Sequence, residues 1–428
     1  MSALAIPLPA ASPAAVLEHI RPGMDIIAQS DNGEPVTVLD AIEAAAGSLD
    51  NVRVHQALAV RDRPYHAGAF GDRLRHISYF LTLTLRQHLE KGTIDLMPND
   101  LSSIPGILRA RTSDPLLIMS VSPPDPHGFV SLGTNAMYGA ALMGDVRVFA
   151  EVNHRMPRTS GHNQLHLSRV VGWVEADYPL WSPPPVTITD VDRTIAGFVA
   201  ERIPHGATIQ IGIGAVPDAV AGMLADHKDL GIHTEFFADG LRSLVECGAA
   251  TGARKHQARF QAPTTDAFGS PAMYPFLHEN RHVQFCPVTE TNQVHAIAAH
   301  PNFCAVNATM QVDLLGQCAS ESLGSHYISG TGGQADFMRG AAYSEGGQSF
   351  IVTHATALNG TVSRIQATLT PGAVVTTHKN LVDKVVTEYG VAELHGRTIR
   401  QRALALIAIA APAFRDGLRD AAHQLGYI

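Results

Sequence analysis

The sequence predicts an α/β protein made of two similar open α/β domains. Two observations carry this prediction: a strand, loop and helix unit that occurs twice, and a proline-rich seam between its two occurrences. A chain of 428 residues is also longer than a single core usually organises. The two copies are "IRPGMDIIAQSDNGEPVTVLDAI", from Ile20, and "IPHGATIQIGIGAVPDAVAGML", from Ile203. Each sets a glycine three residues after the isoleucine (Gly23, Gly206), then a short β-rich run, a glycine-containing loop, a proline (Pro35, Pro217) and an apolar-periodic helix. The seam, "EADYPLWSPPPVTITDVD", carries three consecutive prolines, which neither continue a helix nor sit in a central strand. The expected partition is a first domain over 1–180, a linker over 181–192 and a second domain over 193–428.

The second copy is the sharper one. Ile209, Ile211 and Ile213 alternate with smaller or polar residues as a strand requires, whereas Val216, Val220, Met223 and Leu224 share a helical face. Gly212 and Gly214 remove side chains from the turn between them, and Pro217 suits a first helical turn. Free N–H groups at such a helix start favour an anion. A dinucleotide fingerprint would need a third glycine at 217, where proline stands. A bare tight turn and an acyl or phosphate site both fit these residues. Further along, "HVQFCPV", "SFIVTHAT" and "AVVTTHKN" read as strands, "FCAVNATMQVDLLGQ" as a strand entering a turn, "VDKVVTEYGVAEL" as a strand leading to a loop, and "TIRQRALALIAIA" and "PAFRDGLRDAAHQLG" as helices. The loop "ISGTGGQADFMRGA" concentrates Gly330, Gly332, Gly333 and Gly340, which marks either a flexible surface loop or a close approach of backbone to a ligand.

Composition excludes several function classes. A formal charge of −8 without Lys/Arg runs argues against a nucleic-acid partner, so small molecules are expected instead. The N-terminus fits neither a secretory signal nor a transit peptide, and no window approaches a membrane span. Cys247, Cys286, Cys304 and Cys318 lack CxxC spacing and read as buried thiols of a reducing compartment, with the cytoplasm as the default.

Three further patterns bear on chemistry. "FLHENRHVQF" contains HExxH (His278, Glu279, His282), which would make a zinc hydrolase if the helix ran on past His282. The strand-like "HVQFCPV" and Pro275 stand against that reading, so no metal is expected. "AVRDRPYHAGAFGDRLRH" groups Arg61, Arg63, Arg73 and Arg75, either as a solvated face or as a holder for a second carboxylate on an acid substrate. "GIHTEFFADG" sets Glu235 among Phe, Ala and Gly, where an unpaired carboxylate is costly unless it points to water or has a task.

Together "IQIGIGAVPDAV", "GIHTEFFADG", "ISGTGGQADFMRGA", "VVTEYGVAELHGRTIRQRA", and "VSPPDPHGFVSLG" with "AEVNHRMPRT" resemble the acetyl-CoA hydrolase/transferase group of family I coenzyme A transferases, which includes 4-hydroxybutyrate CoA-transferase. The resemblance spans roughly residues 15 to 420, loosest over the arginine segment. It implies two α/β domains with the active site in the cleft between them, Glu235 as catalytic residue, and a CoA-contacting loop at Gly212, Ile213, Gly214, Ala215 and Val216. Gly330, Gly332 and Gly333 would line the thioester and CoA. The implied activity is a CoA-transferase of EC 2.8.3 type, moving CoA from an acyl-CoA to a free carboxylic acid by a ping-pong route through a glutamyl-CoA thioester. Coenzyme A enters as substrate, no cofactor is needed, and a homodimer or higher homo-oligomer is expected. An acyl-CoA hydrolase using the same glutamate and a non-catalytic CoA-binding protein are the alternatives.

Overall fold

The computed structural model describes residues 6–428. The chain forms two compact units. The first comprises the chain up to Pro183 together with Pro263–Thr291, and the second comprises Pro184–Ala262 with Asn292–Ile428.

The first unit is built on seven strands, β1 (Asp25–Ala28), β2 (Val52–Gln56), β3 (Leu74–Ser78), β4 (Asp95–Leu96), β5 (Leu116–Val121), β6 (Arg147–Asn153) and β7 (Gly172–Ala176). They lie in the order β7-β6-β5-β1-β2-β3-β4, all parallel. Every residue of "LLIMSV" in β5 is buried, as expected of a parallel strand covered on both faces. Alternation divides the core: Ile26, Val54 and Leu116 pack with Val38, Leu39 and Ile42 of helix α1 (Val36–Ala44), while Ile27, Leu117 and Met119 pack with Ile104, Leu108 and Met137 on the opposite face.

The second unit repeats the plan. Its strands are β8 (Thr208–Ile211), β9 (Gly231–Ile232), β10 (Phe303–Ala308), β11 (Gln348–Val352), β12 (Lys384–Thr387) and β13 (Gly390–Glu393), in the order β9-β8-β10-β11-β12-β13, with only β13 antiparallel. Helix α2 (Asp190–Ala200) opens the unit on a capping box between Thr189 and Asp192, so helix begins inside the expected linker. The recurrent strand, loop and helix is present in both copies, as β1 with α1 and as β8 with α3 (Ala215–Met223).

The expected contiguous second domain departs from this division at 263–291. Strand Val283–Phe285 pairs in parallel with Ser160–Gly161, and the Ala136 and Met137 N–H groups both donate to the Thr265 carbonyl, which ties the segment to the first unit. The expected strand "AVVTTHKN" is irregular. Pro371 and Gly372 precede it, and its backbone is held at single points, by Thr376 N–H to Cys318 O and Cys318 N–H to Thr377 O. "VDKVVTEYGVAEL" forms a hairpin, with Val385 opposite Ala392. Among the described residues no helix is long and apolar enough to cross a membrane.

Candidate active site

Strands β8 and β9 lie side by side in parallel, Thr208 opposite Gly231 and Ile209 opposite Ile232. Both therefore end on the same edge, where open parallel sheets offer ligand sites. The loop 212–216 leaves the end of β8, and Glu235 follows three residues after β9. The end of β9 is pinned by Lys255, which is buried and donates from Nζ to the Ile232 and Gln261 carbonyls at 2.8 Å each.

Glu235 is buried, at 9% exposure. Asn292 Nδ2 donates to its Oε2 at 2.7 Å. A Cβ added at Gly333 would stand 1.7 Å from that oxygen and 2.4 Å from Asn292 Nδ2. Since Gly333 has φ −94°, close approach and not backbone conformation requires glycine there. Gly333 also caps helix α5 (Gln334–Tyr343), whose first N–H groups have no intrahelical partner. Burial pushes the Glu235 carboxyl up to about 8; the Asn292 hydrogen bond pulls against this and the negative Asp336 adds to it. Glu235 thus holds its proton more tightly than an ordinary carboxyl. Once ionised it is a stronger base, and so a stronger nucleophile, than an ordinary carboxylate.

The sequence-predicted residues fall into two groups. Glu235 and Gly333 are in direct proximity, with Gly330 and Gly332 in the same loop and Gly332 at φ +58°. Gly212, Ile213, Gly214, Ala215 and Val216 sit at the neighbouring strand end. Gly212 N–H extends the ladder to Val306 O at 2.9 Å. Gly214 caps α3 at φ +120°, a conformation suited to glycine. Ile213 lies beyond the strand and is 48% exposed, so the expected third alternating core position is a surface one. Asn292 and Asp336 escaped the sequence reading. "TETNQV" carries no motif, whereas Asp336, three residues past Gly333 in a first helical turn, could have been found as an acid beside the glycine loop.

Other expectations resolve within single units. In HExxH, helix Met273–Leu277 stops before His278, and Glu279 has φ +53°, so the two histidines do not share a helical face. Arg63 is buried and occupied by Glu34, Asp40 and Glu43 at 2.8, 2.8 and 3.2 Å, and Arg75 forms a two-pronged pair with Asp95. Arg73 is exposed, and Arg61 stacks 5.9 Å over the Tyr178 ring, 3.8 Å from Glu34. Cys247 is exposed, contrary to the expectation of four buried thiols, because it follows the last turn of an amphipathic helix, α4 (Asp239–Glu246). The motif "AEVNHRMPRT" lines a cavity of about 310 Å³ in the first unit through His154, Arg155, Met156 and Arg158, with Tyr274 and His278 opposite.

Known proteins resemble this chain over most of its length. The acetyl-CoA hydrolase/transferase N-terminal domain matches residues 9–183 and the C-terminal domain residues 269–422. The succinyl-CoA:cyclohexane-1-carboxylate CoA transferase of Geobacter metallireducens is 40% identical over 92% of the chain and 91% of its own length. The 4-hydroxybutyrate coenzyme A transferase of Clostridium kluyveri is 38% identical over 91% of each. Among solved structures, RipA from Yersinia pestis superposes with a TM-score of 0.93 at 33% identity, covering 97% of both chains. A 4-hydroxybutyrate CoA-transferase from Porphyromonas gingivalis gives 0.83 at 32%, again over 97% of both.

Proposed function

The chain belongs to the acetyl-CoA hydrolase/transferase family and is a CoA-transferase, and from that premise we propose that Glu235 is the group that carries CoA between two acids. The observation that carries the proposal is a buried carboxyl, raised to about 8, against the Gly333 backbone. On losing its proton, Glu235 attacks the thioester carbonyl of an acyl-CoA, giving an acyl-glutamyl anhydride and CoA thiolate. The thiolate attacks the glutamyl carbonyl, releasing the first acid and leaving a glutamyl-CoA thioester. A second carboxylate then reverses these steps. Each attack passes through an oxyanion that needs N–H donors already in position. The first N–H groups of α5, beside Gly333, fit that need in position and in dipole sign. The Asn292 amide fits as a second donor that also holds Glu235 in one rotamer. The 212–216 loop at the start of α3 suits CoA.

The acid acceptor is proposed as a carboxylic acid held without Arg63, which three acids already occupy. A homo-oligomer in a reducing cytoplasm is proposed as the working state, with no disulfide among the described cysteines in keeping with the latter. Initial-rate exchange between acyl-CoA donors and a panel of free acids, beside a no-acceptor control, tests the function. Parallel reciprocal plots with negligible acid-free thioester loss support it. Thioester loss that needs no acceptor makes the protein a hydrolase.

A further inference from the structure

A second cluster of ligand-type side chains lies in the first unit, outside the carboxylate site. Strand Val283–Phe285 runs parallel to Ser160–Gly161 with Phe285 opposite Gly161, so the next residues on each strand, Cys286 and His162, come alongside. The approach is close enough that a Cβ at Gly161 would meet Phe285 O at 2.2 Å. Cys286 is held by its N–H to Thr264 O at 2.8 Å. Pro287 then turns the chain into the short helix Val288–Thr291, which brings Glu290 back over Cys286. His162 Nδ1 lies 2.6 Å from Glu290 Oε2, and one ligand atom of each of the three residues lies within 4.8 Å of the other two.

We propose that His162, Cys286 and Glu290 form a transition-metal site of the zinc type, with imidazole Nδ1, thiolate and carboxylate as ligands and a fourth position left to water. The donor set decides the metal class. One sulfur, one nitrogen and one oxygen suit Zn²⁺ or Co²⁺, whereas Mg²⁺ and Ca²⁺ want several oxygens. The two anionic ligands neutralise a divalent ion. Metal–ligand bonds of about 2.0–2.3 Å put tetrahedral ligand atoms roughly 3.3–3.7 Å apart. Adjustments on the order of 1 Å therefore suffice, and the His162 and Glu290 side chains, 73% and 45% exposed, are free to make them around the buried Cys286. On binding, the Cys286 thiol gives its proton to solvent, and the proton that His162 Nδ1 shares with Glu290 moves to Nε2, freeing Nδ1 for the metal. The HExxH residues take no part.

The test is a cobalt titration of the full-length reduced protein, followed by displacement with Zn²⁺. The expected result is one Co²⁺ per chain with a thiolate-to-metal charge-transfer band. That band should be absent in Cys286→Ser, and affinity should fall at least about 100-fold in His162→Ala and in Glu290→Gln, since losing a ligand exceeds the loss seen when only a ligand's supporting partner is removed. Cys247→Ser, which removes the exposed thiol, should change nothing. Because His162 and Glu290 are surface positions, their variants remain informative where Cys286→Ser misfolds. Absence of the band, its persistence in both surface variants, or its loss in Cys247→Ser overturns the proposal and leaves a surface His–Glu pair.

Discussion

Replacing Glu235 by Gln should stabilise the protein while abolishing transfer. The carboxyl has an ordinary value of 4.5 and a folded value of about 8. Its folded value is raised, so folding takes up a proton and this group opposes folding as pH rises. The cost is absent below about pH 4.5, grows through the window between 4.5 and 8, and is constant above it. At about 1.4 kcal/mol per pH unit, it reaches about 3 kcal/mol at pH 7 and levels near 5 kcal/mol. Glutamine has the same shape, keeps an oxygen for the Asn292 amide, and carries no such cost. For a unit of this size 3 kcal/mol corresponds to a rise of roughly 6–12 °C in melting temperature. Thermal unfolding of both proteins at pH 4, 7 and 8.5 should show curves that coincide at pH 4 and separate upward. A wild type at least as stable as Glu235→Gln at pH 7, or a difference independent of pH, would show that burial does not raise the Glu235 carboxyl.

Four more outcomes follow from the contacts described above. The transferase kcat/KM should rise about tenfold per unit up to roughly pH 8 and then level, because the attacking form is the carboxylate; a flat profile between pH 6 and 8 contradicts this. Asn292→Ala removes the hydrogen bond that favours ionised Glu235, so the rising limb should shift to higher pH, which a profile displaced only in height would deny. Gly333→Ala should lower kcat by on the order of 100-fold with little change in melting temperature, since its Cβ would displace the carboxylate and not strain the backbone. Arg63→Ala should cost about 3–5 kcal/mol of stability by stranding Glu34 and its neighbours, without a selective loss of dicarboxylate acceptors in whatever folded enzyme remains.

The doubled architecture was legible because both copies obey local rules. Alternation to Ile211, glycines at 212 and 214, and Pro217 in a first helical turn are all decided within a dozen residues. Glu235 was legible for the opposite reason, as a charge in an apolar setting that local rules do not favour. What escaped depended on pairing between distant segments. Residues 263–291 read as part of the second domain, yet their partners are Ser160, Gly161, Ala136 and Met137, which no local pattern announces. Asn292 reaches Glu235 across 57 positions by the same kind of long-range closure. "AVVTTHKN" shows the converse, strand-like composition without a neighbouring ladder to join. The arginine segment could not show in one dimension that Arg63 would meet Glu34, Asp40 and Glu43.

Peptide mass mapping after incubation with acyl-CoA in the absence of acceptor asks whether CoA passes through Glu235. The peptide containing Glu235 should carry CoA, borohydride should convert this adduct to a reduced glutamyl side chain with loss of activity, and adding a free acid before borohydride should protect the enzyme. An enzyme that exchanges CoA between acids at full rate yet never carries CoA on that peptide, or one in which Glu235→Gln still exchanges, excludes Glu235 as the CoA carrier.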